Sequence, residues 1–456
     1  MPTVRLIAEG VGPFEKLDLD LSDGHGEPHL GPHILAGVNG SGKSTALRAL
    51  AWVLDLGRRG FPYQDWQHAL AGQTRSRAVV YLKPPHGAPQ FQVCSNEILD
   101  ATSLPRVRGW VLQVLPEYTA LVAMRKGRFG PPHQGFRWWL SEGFPDILFS
   151  AAYSPSRSLE YLASPDLTKS LGDPEENALA FESTVQNEAI QAWLLGLYSK
   201  KAIARERRQS AVAYALSLGR FEKALKLICG EDLRFDVEIE PRLQPRVRMR
   251  HRSLNFSQLP DGVRNTVGWL ADFMMRQDAV RWDPGLEAKR PGILILDEVD
   301  AHLHPRWQRT LLPAMRKALP DVQIIVSSHS PFVISSCPGS RVHVLELDQY
   351  GKAHALPPVD APIGASVTAT LKDIFEVDSR FDVETERELD EWNRLKKKEA
   401  GRRKRSEELR LRQLTRSLSA KNEELRLIVS TPPRLSRSLF EALSASASKE
   451  GRGKDG

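Results

Sequence analysis

Cysteine is scarce in this sequence, with three residues in 456. Cys94, Cys229 and Cys337 are far apart and form no Cys-x-x-Cys pair, which argues against a disulfide framework and a cysteine-built zinc site. The chain also lacks an apolar run of about eighteen residues, the length of a membrane span, and its first residues carry no signal-peptide pattern. We therefore expect a cytoplasmic protein, in a reducing compartment, that does not contact a membrane.

Neither sign of charge dominates the composition. The sequence has 63 Lys and Arg against 56 Asp and Glu, which gives a net charge of +7 and a pI of about 9.2. This moderately basic balance permits an acidic partner such as nucleic acid without demonstrating one. The hydrophobic content of 41% is ample for a sizeable core, and the length fits one large domain with insertions or two to three domains.

One glycine-rich stretch organises the rest of the chain. Residues 37–44, Gly-Val-Asn-Gly-Ser-Gly-Lys-Ser, fill every fixed position of the phosphate-binding loop pattern G-x-x-x-x-G-K-[ST]. Residues 33–36 predict a buried strand before the loop, and residues 44–54 predict a helix after it. The glycines let backbone N–H groups face an anion, and the helix N-terminus adds a positive partial charge. The candidate phosphate contacts are Gly37, Asn39, Gly40, Ser41, Gly42, Lys43, Ser44 and Thr45.

A second apolar strand, predicted over residues 292–296, ends in two carboxylates. Asp297 is placed to hold Mg²⁺ together with Ser44, the last residue of the glycine loop. Glu298, one residue on, points differently and can polarise a water for in-line attack on a γ-phosphate. Because charged groups beside a buried strand usually have a cation to face, the pair favours a site for a metal and a nucleotide.

A third predicted strand, over residues 322–327, is followed by Ser328 and His329. A helix predicted over residues 306–319 separates it from the acidic pair. Taken alone, His329 is more often an ordinary histidine with satisfied hydrogen bonds. At the end of a strand beside the phosphate loop, it can instead hydrogen-bond the γ-phosphate.

Together these motifs resemble those of the ATP-binding-cassette ATPases of the SMC, RecF and OLD type. The resemblance is carried by residues 37–44, 296–305 and 328–331, and the run Asp-Glu-x-Asp-x-His-Leu-His-Pro is typical of that branch. It implies an α/β P-loop NTPase head, with a mixed sheet flanked by helices, that uses ATP and Mg²⁺. It also implies a homodimer, or a higher even-numbered oligomer, whose protomers enclose ATP between them. The implied catalytic residues are Lys43, Glu298 and His329.

The same branch carries a signature loop ahead of the acidic strand. Residues 259–265, Leu-Pro-Asp-Gly-Val-Arg-Asn, are similar to Leu-Ser-Gly-Gly-Gln. The resemblance implies that Gly262 contacts the γ-phosphate bound by the other subunit. Pro260 replaces the serine whose hydroxyl normally helps in this contact, and Ser257 is a candidate substitute.

Three smaller features leave alternatives open. His302 and His304 fit either a metal site or, as the resemblance implies, a dimer-contact loop, and the lack of a nearby third ligand favours the loop. Arg157, which follows a strand predicted over residues 146–153, is a weaker candidate to approach the nucleotide. The glutamine that senses Mg²⁺ in the family is one of Gln64, Gln67, Gln90 and Gln92.

Two stretches bear on partners. Residues 136–140, Phe-Arg-Trp-Trp-Leu, either stack on bases or form core contacts, and core contacts are the commoner use. Residues 367–428 are charged and predicted helical, and form either a solvated hairpin or a basic face for nucleic acid or a partner protein. Residues 350–456 are too short and too helical for the Toprim-type nuclease of OLD-like proteins. A nuclease or toxin effector is therefore expected to be a separate chain.

The predicted organisation has five segments. They are an N-terminal lobe of the head over residues 1–178, a helical insertion over 179–230, a C-terminal lobe over 231–350, a charged helical region over 351–443 and a disordered tail over 444–456. Stand-alone heads of this kind resemble ATPase subunits of the Septu, PARIS and retron-associated anti-phage systems. The resemblance implies a nucleotide-gated sensor and scaffold for a separate effector. The alternatives are a DNA-repair ATPase that binds DNA directly and a transporter motor, and the departure from Leu-Ser-Gly-Gly-Gln argues against the motor.

Overall fold

The computed structural model of the chain describes most of the predicted head and of the C-terminal helices. The described residues are 3–25, 27–54, 77–82, 90–95, 110, 113, 124–126, 137–141, 149–157, 171–182, 184–230, 233–240, 243–249, 251–282, 289–362, 364, 367–375, 381–398 and 402–430. The chain divides into two compact units, residues 1–362 and residues 363–456.

The first unit contains strands and helices in an α/β arrangement, as the sequence predicts. Its strands are β1 (Thr3–Val11), β2 (Phe14–Asp20), β3 (His33–Ala36), β4 (Arg77–Leu82), β5 (Gln90–Ser95), β6 (Met124–Lys126), β7 (Arg137–Ser141), β8 (Phe149–Tyr153), β9 (Arg234–Glu238), β10 (Gln244–Met249), β11 (Arg252–Leu254), β12 (Gly292–Leu296), β13 (Val322–Ser327), β14 (Arg341–Leu347), β15 (Ala353–Ala355) and β16 (Val359–Asp360). Its helices are α1 (Lys43–Leu54), α2 (Asn187–Glu206), α3 (Val212–Cys229), α4 (Asp261–Ala279), α5 (Pro305–Ala318) and the short α6 (Pro331–Ile334).

A parallel block of five strands forms one end of the large sheet. Its order is β14-β3-β13-β12-β8, so the strand before the glycine loop lies beside the strand that precedes His329. Every residue of β3, β8, β12 and β13 is buried, which explains why these strands are mainly apolar in the sequence. Because the block is parallel, the carboxyl ends of its strands share one edge, and the predicted site residues follow those ends.

The antiparallel part of the sheet extends from the parallel block through β15 and β2. Strand β1 pairs with both β2 and β4, and β4 pairs with β5, all in antiparallel orientation. The stretch Arg137–Ser141 forms β7, which pairs with β5. The side chains of β7 lie outside the described part of the chain, so base stacking and core packing both stay open for its tryptophans.

The helical insertion begins later than its composition suggests. The sequence predicts helix from residue 179, but residues 171–182 form turns and α2 begins at Asn187. The reason is a bridge between Phe181 and Tyr153 at the end of β8, which holds this segment against the sheet. After α3, strands β9, β10 and β11 form a separate antiparallel sheet that leads into α4.

The second unit contains helices α7 (Val367–Phe375), α8 (Val383–Lys397), α9 (Arg405–Lys421) and α10 (Glu423–Ser430). Helices α8, α9 and α10 share an apolar core made of Trp392, Leu395, Leu411, Leu414, Leu418, Leu425 and Val429. Arg403, which belongs to the basic run of the sequence, donates to the carbonyls of Leu395, Lys396 and Lys398 and so caps α8. In the described part of the chain, no helix is long and apolar enough to cross a membrane.

Candidate nucleotide-binding site

The glycine loop connects β3 to α1 at the carboxyl edge of the parallel block. Gly37 has a φ of +147°, and a Cβ at this position would lie 2.3 Å from the carbonyl oxygen of Leu345 on β14. Any larger residue would therefore collide with the neighbouring strand. Asn39 and Gly40 are exposed at the tip of the loop, whereas Ser41 is fully buried. The loop thus has the shape and the open side that a phosphate cradle requires.

Lys43 is the first residue of α1, and its ammonium lies inside the loop. Its Nζ donates to the carbonyl oxygen of Gly37 at 2.9 Å and to that of Val38 at 2.8 Å. Burial lowers the pKa of Lys43, and the carboxylates of Asp297 and Glu298 act in the opposite direction. The lysine and the acidic pair are therefore within electrostatic reach of each other.

Asp297 and Glu298 are held in place by one hydroxyl group. Ser327, the last residue of β13, donates to Asp297 Oδ1 at 2.5 Å, and its Oγ accepts the backbone N–H of Glu298 at 2.7 Å. Asp297 is only 4% exposed and forms no ion pair with any Lys or Arg of the described ranges. A buried carboxylate of this kind needs a cation, which is the environment that a Mg²⁺ ligand has. Ser44, in the first turn of α1, is the second proposed ligand.

Glu298 has a backbone conformation that is unusual for a residue other than glycine. Its φ is +45°, and such conformations persist when the surroundings hold them in place. Arg157 supplies much of that support: its Nη1 donates to the carbonyl of Asp297 at 2.6 Å and its Nη2 to the carbonyl of Glu298 at 3.0 Å. Nη1 also donates to the carbonyl of Ser154 at 2.8 Å. Arg157 therefore lies beneath the acidic turn and binds its backbone.

His329 follows β13 and is half-buried at the same edge. Burial lowers its pKa, and the positive charge of Lys43 lowers it further, while the carboxylates of Asp300, Glu298 and Asp297 oppose both effects. The structure thus brings His329, Lys43 and the acidic pair into one electrostatic neighbourhood. A histidine with a lowered pKa is neutral at neutral pH and can donate one ring N–H.

Gly262 lies in the first turn of α4, away from the glycine loop in sequence but next to the turn after the acidic pair. A Cβ at Gly262 would lie 2.7 Å from the carbonyl oxygen of His302. The glycine therefore lets α4 pack closely against its own chain, a reason for glycine that sequence reasoning missed. Pro260 is the N-cap residue and supplies no side-chain cap, and Ser257 donates to Asn255 Oδ1 within a preceding turn.

The remaining sequence candidates fall into two groups. His304 caps α5 by accepting the N–H of Arg306 at 3.2 Å, and His302 has a φ of +62° in the turn before it. No cluster of three His, Cys, Asp or Glu side chains suited to a metal ion occurs within the residues that the structure covers. Gln64 and Gln67 lie outside the described residues, as do the side chains of Gln90 and Gln92.

Tyr153 connects the acidic strand to the helix that carries Gly262. Its carbonyl accepts the N–H of Asp297 at 2.9 Å, and its hydroxyl donates to Asp272 of α4 at 2.9 Å. Arg276 donates to the same Asp272 oxygen at 2.6 Å, and both side chains of this ion pair are fully buried. Arg276 also donates to the carbonyls of Pro174, Glu176 and Thr184. Single polar residues in long apolar segments gave no sequence signal for this network.

Comparison with known proteins agrees with the motifs. Residues 244–335 match a family model described as an AAA domain, putative AbiEii toxin, Type IV TA system. The chain is 27% identical over 153 residues to a retron Vc95 probable ATPase of Vibrio cholerae serotype O1 biovar El Tor, which is 33% of this chain and 29% of that protein. It is 31% identical over 154 residues to the Septu protein PtuA of Bacillus thuringiensis, which is 31% of this chain and 39% of that protein. The expected resemblance to retron-associated probable ATPases and to Septu proteins is confirmed.

The matched segments are short relative to those proteins. In a retron Ec83 probable ATPase of Escherichia coli, for example, the match is 30% identical and spans 28% of this chain and 23% of that protein. Among solved structures, an SmcHead bound to the C-winged helix domain of ScpA has a TM-score of 0.44 at 14% identity, covering 79% of this chain and 98% of that one. The SMC head domain from Thermotoga maritima has a TM-score of 0.40 at 16% identity, covering 78% and 99%.

Proposed function

We propose that this chain binds and hydrolyses ATP, closes into a dimer around it, and acts as a nucleotide-gated sensor and scaffold for a separate nuclease or toxin effector in anti-phage defence. The observation that carries the ATPase part is the convergence of Lys43, Asp297, Glu298 and His329 at one edge of the parallel block. The names of the relatives, retron probable ATPases and Septu PtuA, support the role in defence.

The residues at this edge can perform each part of the reaction. The loop N–H groups and Lys43 bind the β- and γ-phosphates, which carry most of the charge of the substrate. Ser44 and the buried Asp297 would hold Mg²⁺, which supplies charge neutralisation when bound. Glu298 accepts a proton from the attacking water, and the neutral ring of His329 donates a hydrogen bond to the γ-phosphate.

The exposed N-terminus of α4 supports the proposed dimer. Pro260 and Asp261 are exposed at the N-terminus of α4, with Gly262 directly behind them. In the proposed dimer, this helix terminus of one protomer faces the γ-phosphate bound by its partner, where its unpaired N–H groups favour negative charge. The exposed Asp261 would have to turn away, and its ion pair with Arg264 offers such a position.

The runner-up function is a DNA-repair ATPase that binds DNA directly. Its support is the net charge of +7 and the exposed Lys and Arg side chains of the second unit. The two functions differ in what DNA does to the purified protein. A DNA-repair ATPase predicts binding that weakens steeply with salt and ATP hydrolysis that DNA stimulates, whereas a scaffold for an effector predicts neither.

The test is ATP hydrolysis by the wild-type chain and by Lys43→Ala, with and without duplex DNA at several salt concentrations. The proposal predicts Mg²⁺-dependent hydrolysis that Lys43→Ala abolishes and that DNA leaves unchanged. Stimulation by DNA would move the assignment to the repair function. Equal hydrolysis by both proteins would contradict the proposed site itself.

A further inference from the structure

A basic cleft lies at the amino-terminal edge of the parallel block, opposite the nucleotide site. Helices α3, α4 and α5 surround it, and it has a volume of about 250 Å³. Its floor is apolar, with Leu227, Met274 and Val322 among the lining side chains. Val322 begins β13 and pairs with Gly292, which begins β12. The cleft is therefore about 15 Å from the nucleotide edge, because a strand rises about 3.3 Å per residue.

Five cationic side chains line this cleft: Arg220, Lys223, Lys289, Arg290 and Lys317. Among the described residues, a single carboxylate, Asp321, belongs to the lining itself. Among the residues that the structure describes, Lys223, Lys289 and Lys317 form no ion pair. Positive charge thus exceeds negative charge in a concave site, where low-dielectric walls strengthen the field.

Arg220 has only a long contact with a carboxylate. Asp278 binds the guanidinium of Arg290, and the same Asp278 oxygen lies 3.9 Å from Nη1 of Arg220. Arg220 therefore shares a carboxylate that already binds Arg290, and it has the longer contact. Burial lowers the pKa of Arg220, and the charge of Arg290 lowers it further, which shows that the two cations crowd each other.

The backbone also holds Arg290 in an unusual position. Its φ is +48°, although arginine has no special tolerance for the left-handed region. Its carbonyl accepts the side-chain N–H of Gln277 at 2.9 Å, so α4 fixes this conformation. The arrangement keeps the Arg290 side chain beside Arg220 despite the cost of the backbone strain and of the like charges.

From these observations we propose that the cleft is a second anion site, which binds a compact phosphorylated ligand. The guanidinium of Arg220 supplies planar donors that match phosphate oxygens, and the three lysines supply further charge. The volume is slightly below the range of about 300–1,000 Å³ typical of pockets for small molecules, so it suits a compact anion rather than an extended strand. The source of the phosphates is either a free phosphorylated compound or the end of a nucleic acid.

The site is independent of the proposed ATP site, and the test keeps them apart. The substitution Lys43→Ala removes the main anion contact of the glycine loop. Inorganic pyrophosphate is titrated into this variant, and binding is measured by calorimetry. The same titration is made after adding Lys289→Gln and Lys317→Gln, two exposed cleft substitutions. Lys200→Gln with Lys201→Gln is the matched control, because it removes two positive charges from α2, away from the cleft.

The proposal predicts saturable binding of one pyrophosphate per chain, weakened roughly tenfold or more by the cleft pair and little changed by the control pair. Arg220→Gln, in the same background, should weaken it at least as much. Circular dichroism checks the fold of each variant. The comparison of the cleft pair with the control pair is repeated in a chain that keeps Lys43. The latter comparison keeps the test valid if Lys43→Ala does not fold.

Two results would overturn the proposal. One is the absence of saturable binding at millimolar pyrophosphate, or equal affinity in the cleft and control pairs. The other result uses a single-stranded DNA oligonucleotide that lacks a terminal phosphate. If this DNA binds through Lys289 and Lys317 while pyrophosphate does not bind, the cleft is a nucleic-acid backbone site instead. If pyrophosphate and a 5′-phosphorylated oligonucleotide both bind through the cleft lysines, the proposal stands and the nucleic-acid source is identified.

Discussion

The guanidinium of Arg157 donates a hydrogen bond of 2.6 Å to the backbone carbonyl of Asp297. Burial lowers the pKa of Arg157 to about 10, so the group is still protonated at neutral pH. A positive charge is thus fixed beneath the acidic turn, where it binds backbone oxygens and leaves both carboxylates free to face the nucleotide. This contact gives Arg157 a positioning role for Glu298 and distinguishes it from residues that would touch ATP.

Replacing Arg157 by lysine should therefore lower turnover without weakening ATP binding. Lysine keeps the charge but cannot donate to two carbonyls from one planar group, so Glu298 loses part of its support. We expect kcat to fall about 10- to 100-fold, which is part of the rate enhancement that a general base contributes. The Kd for ATP should not change. In a Glu298→Gln background the same substitution should add little. Arg77→Lys is the control that should leave kcat unchanged, because Nε and Nη2 of Arg77 both donate to one oxygen of Glu9, in an ion pair outside the site.

Most of this candidate site could be predicted from the sequence, because its residues belong to a motif of fixed spacing or follow apolar strands. The glycine loop has a fixed spacing, and Asp297 and His329 follow fully buried strands whose apolar runs are visible in the sequence. Parallel pairing then brings the ends of those strands to one edge. The residues that meet at this edge can therefore be predicted largely from the sequence.

Arg157 and Ser327 show what the sequence could not predict. Arg157 is one arginine among many, and its partners are carbonyl oxygens, which every residue has. Ser327 accepts one hydrogen bond and donates another across two strands, and only the register of β12 against β13 makes that possible. Contacts that depend on backbone atoms or on register leave no residue pattern. The late start of α2 has the same origin, because the bridge between Phe181 and Tyr153 is a backbone contact.

His329 predicts a pH dependence of turnover. Because burial and the nearby Lys43 lower its pKa, the ring is neutral at pH 7 and becomes charged only at a pH below its ordinary value of 6.5. We expect kcat to be constant from pH 7 to 8 and to fall as the pH decreases below 6.5. In His329→Gln, which keeps a donor but does not titrate, this acidic limb should be shallower. An identical pH profile in the two proteins would show that another group is responsible.

The buried ion pair of Asp272 and Arg276 should be important for stability. Replacing Arg276 by methionine leaves a buried carboxylate without its cation, which should cost roughly 4 kcal/mol. Arg246→Met, which breaks a partly exposed pair with Glu238, should cost only about 0–1 kcal/mol. Thermal or denaturant unfolding of the two variants measures the difference. Equal losses would contradict the importance of the buried pair.

A second pH effect concerns stability and comes from His343, which is 1% exposed. Burial lowers its pKa to about 4 from 6.5, so the unfolded chain takes up a proton between these pH values and the folded chain does not. The sign is therefore a loss of stability as the pH falls from 6.5 to 4, with about 3 kcal/mol from this residue. In His343→Gln the free energy of unfolding should depend less on pH over that interval. A pH dependence as steep as in the wild type would contradict this origin.

The central claim, that a second copy of the chain completes an ATP site built on Lys43, Asp297, Glu298 and His329, is tested most directly by the mass of Glu298→Gln in solution. With ATP and Mg²⁺, analytical ultracentrifugation should give about twice the chain mass of 51.1 kDa, and without ATP a single chain. The same variant should turn over ATP at least about 100-fold more slowly than the wild type. Adding Lys43→Ala should abolish the ATP-dependent dimer. Hydrolysis at the normal rate, or a mass that ATP does not change, would contradict the account.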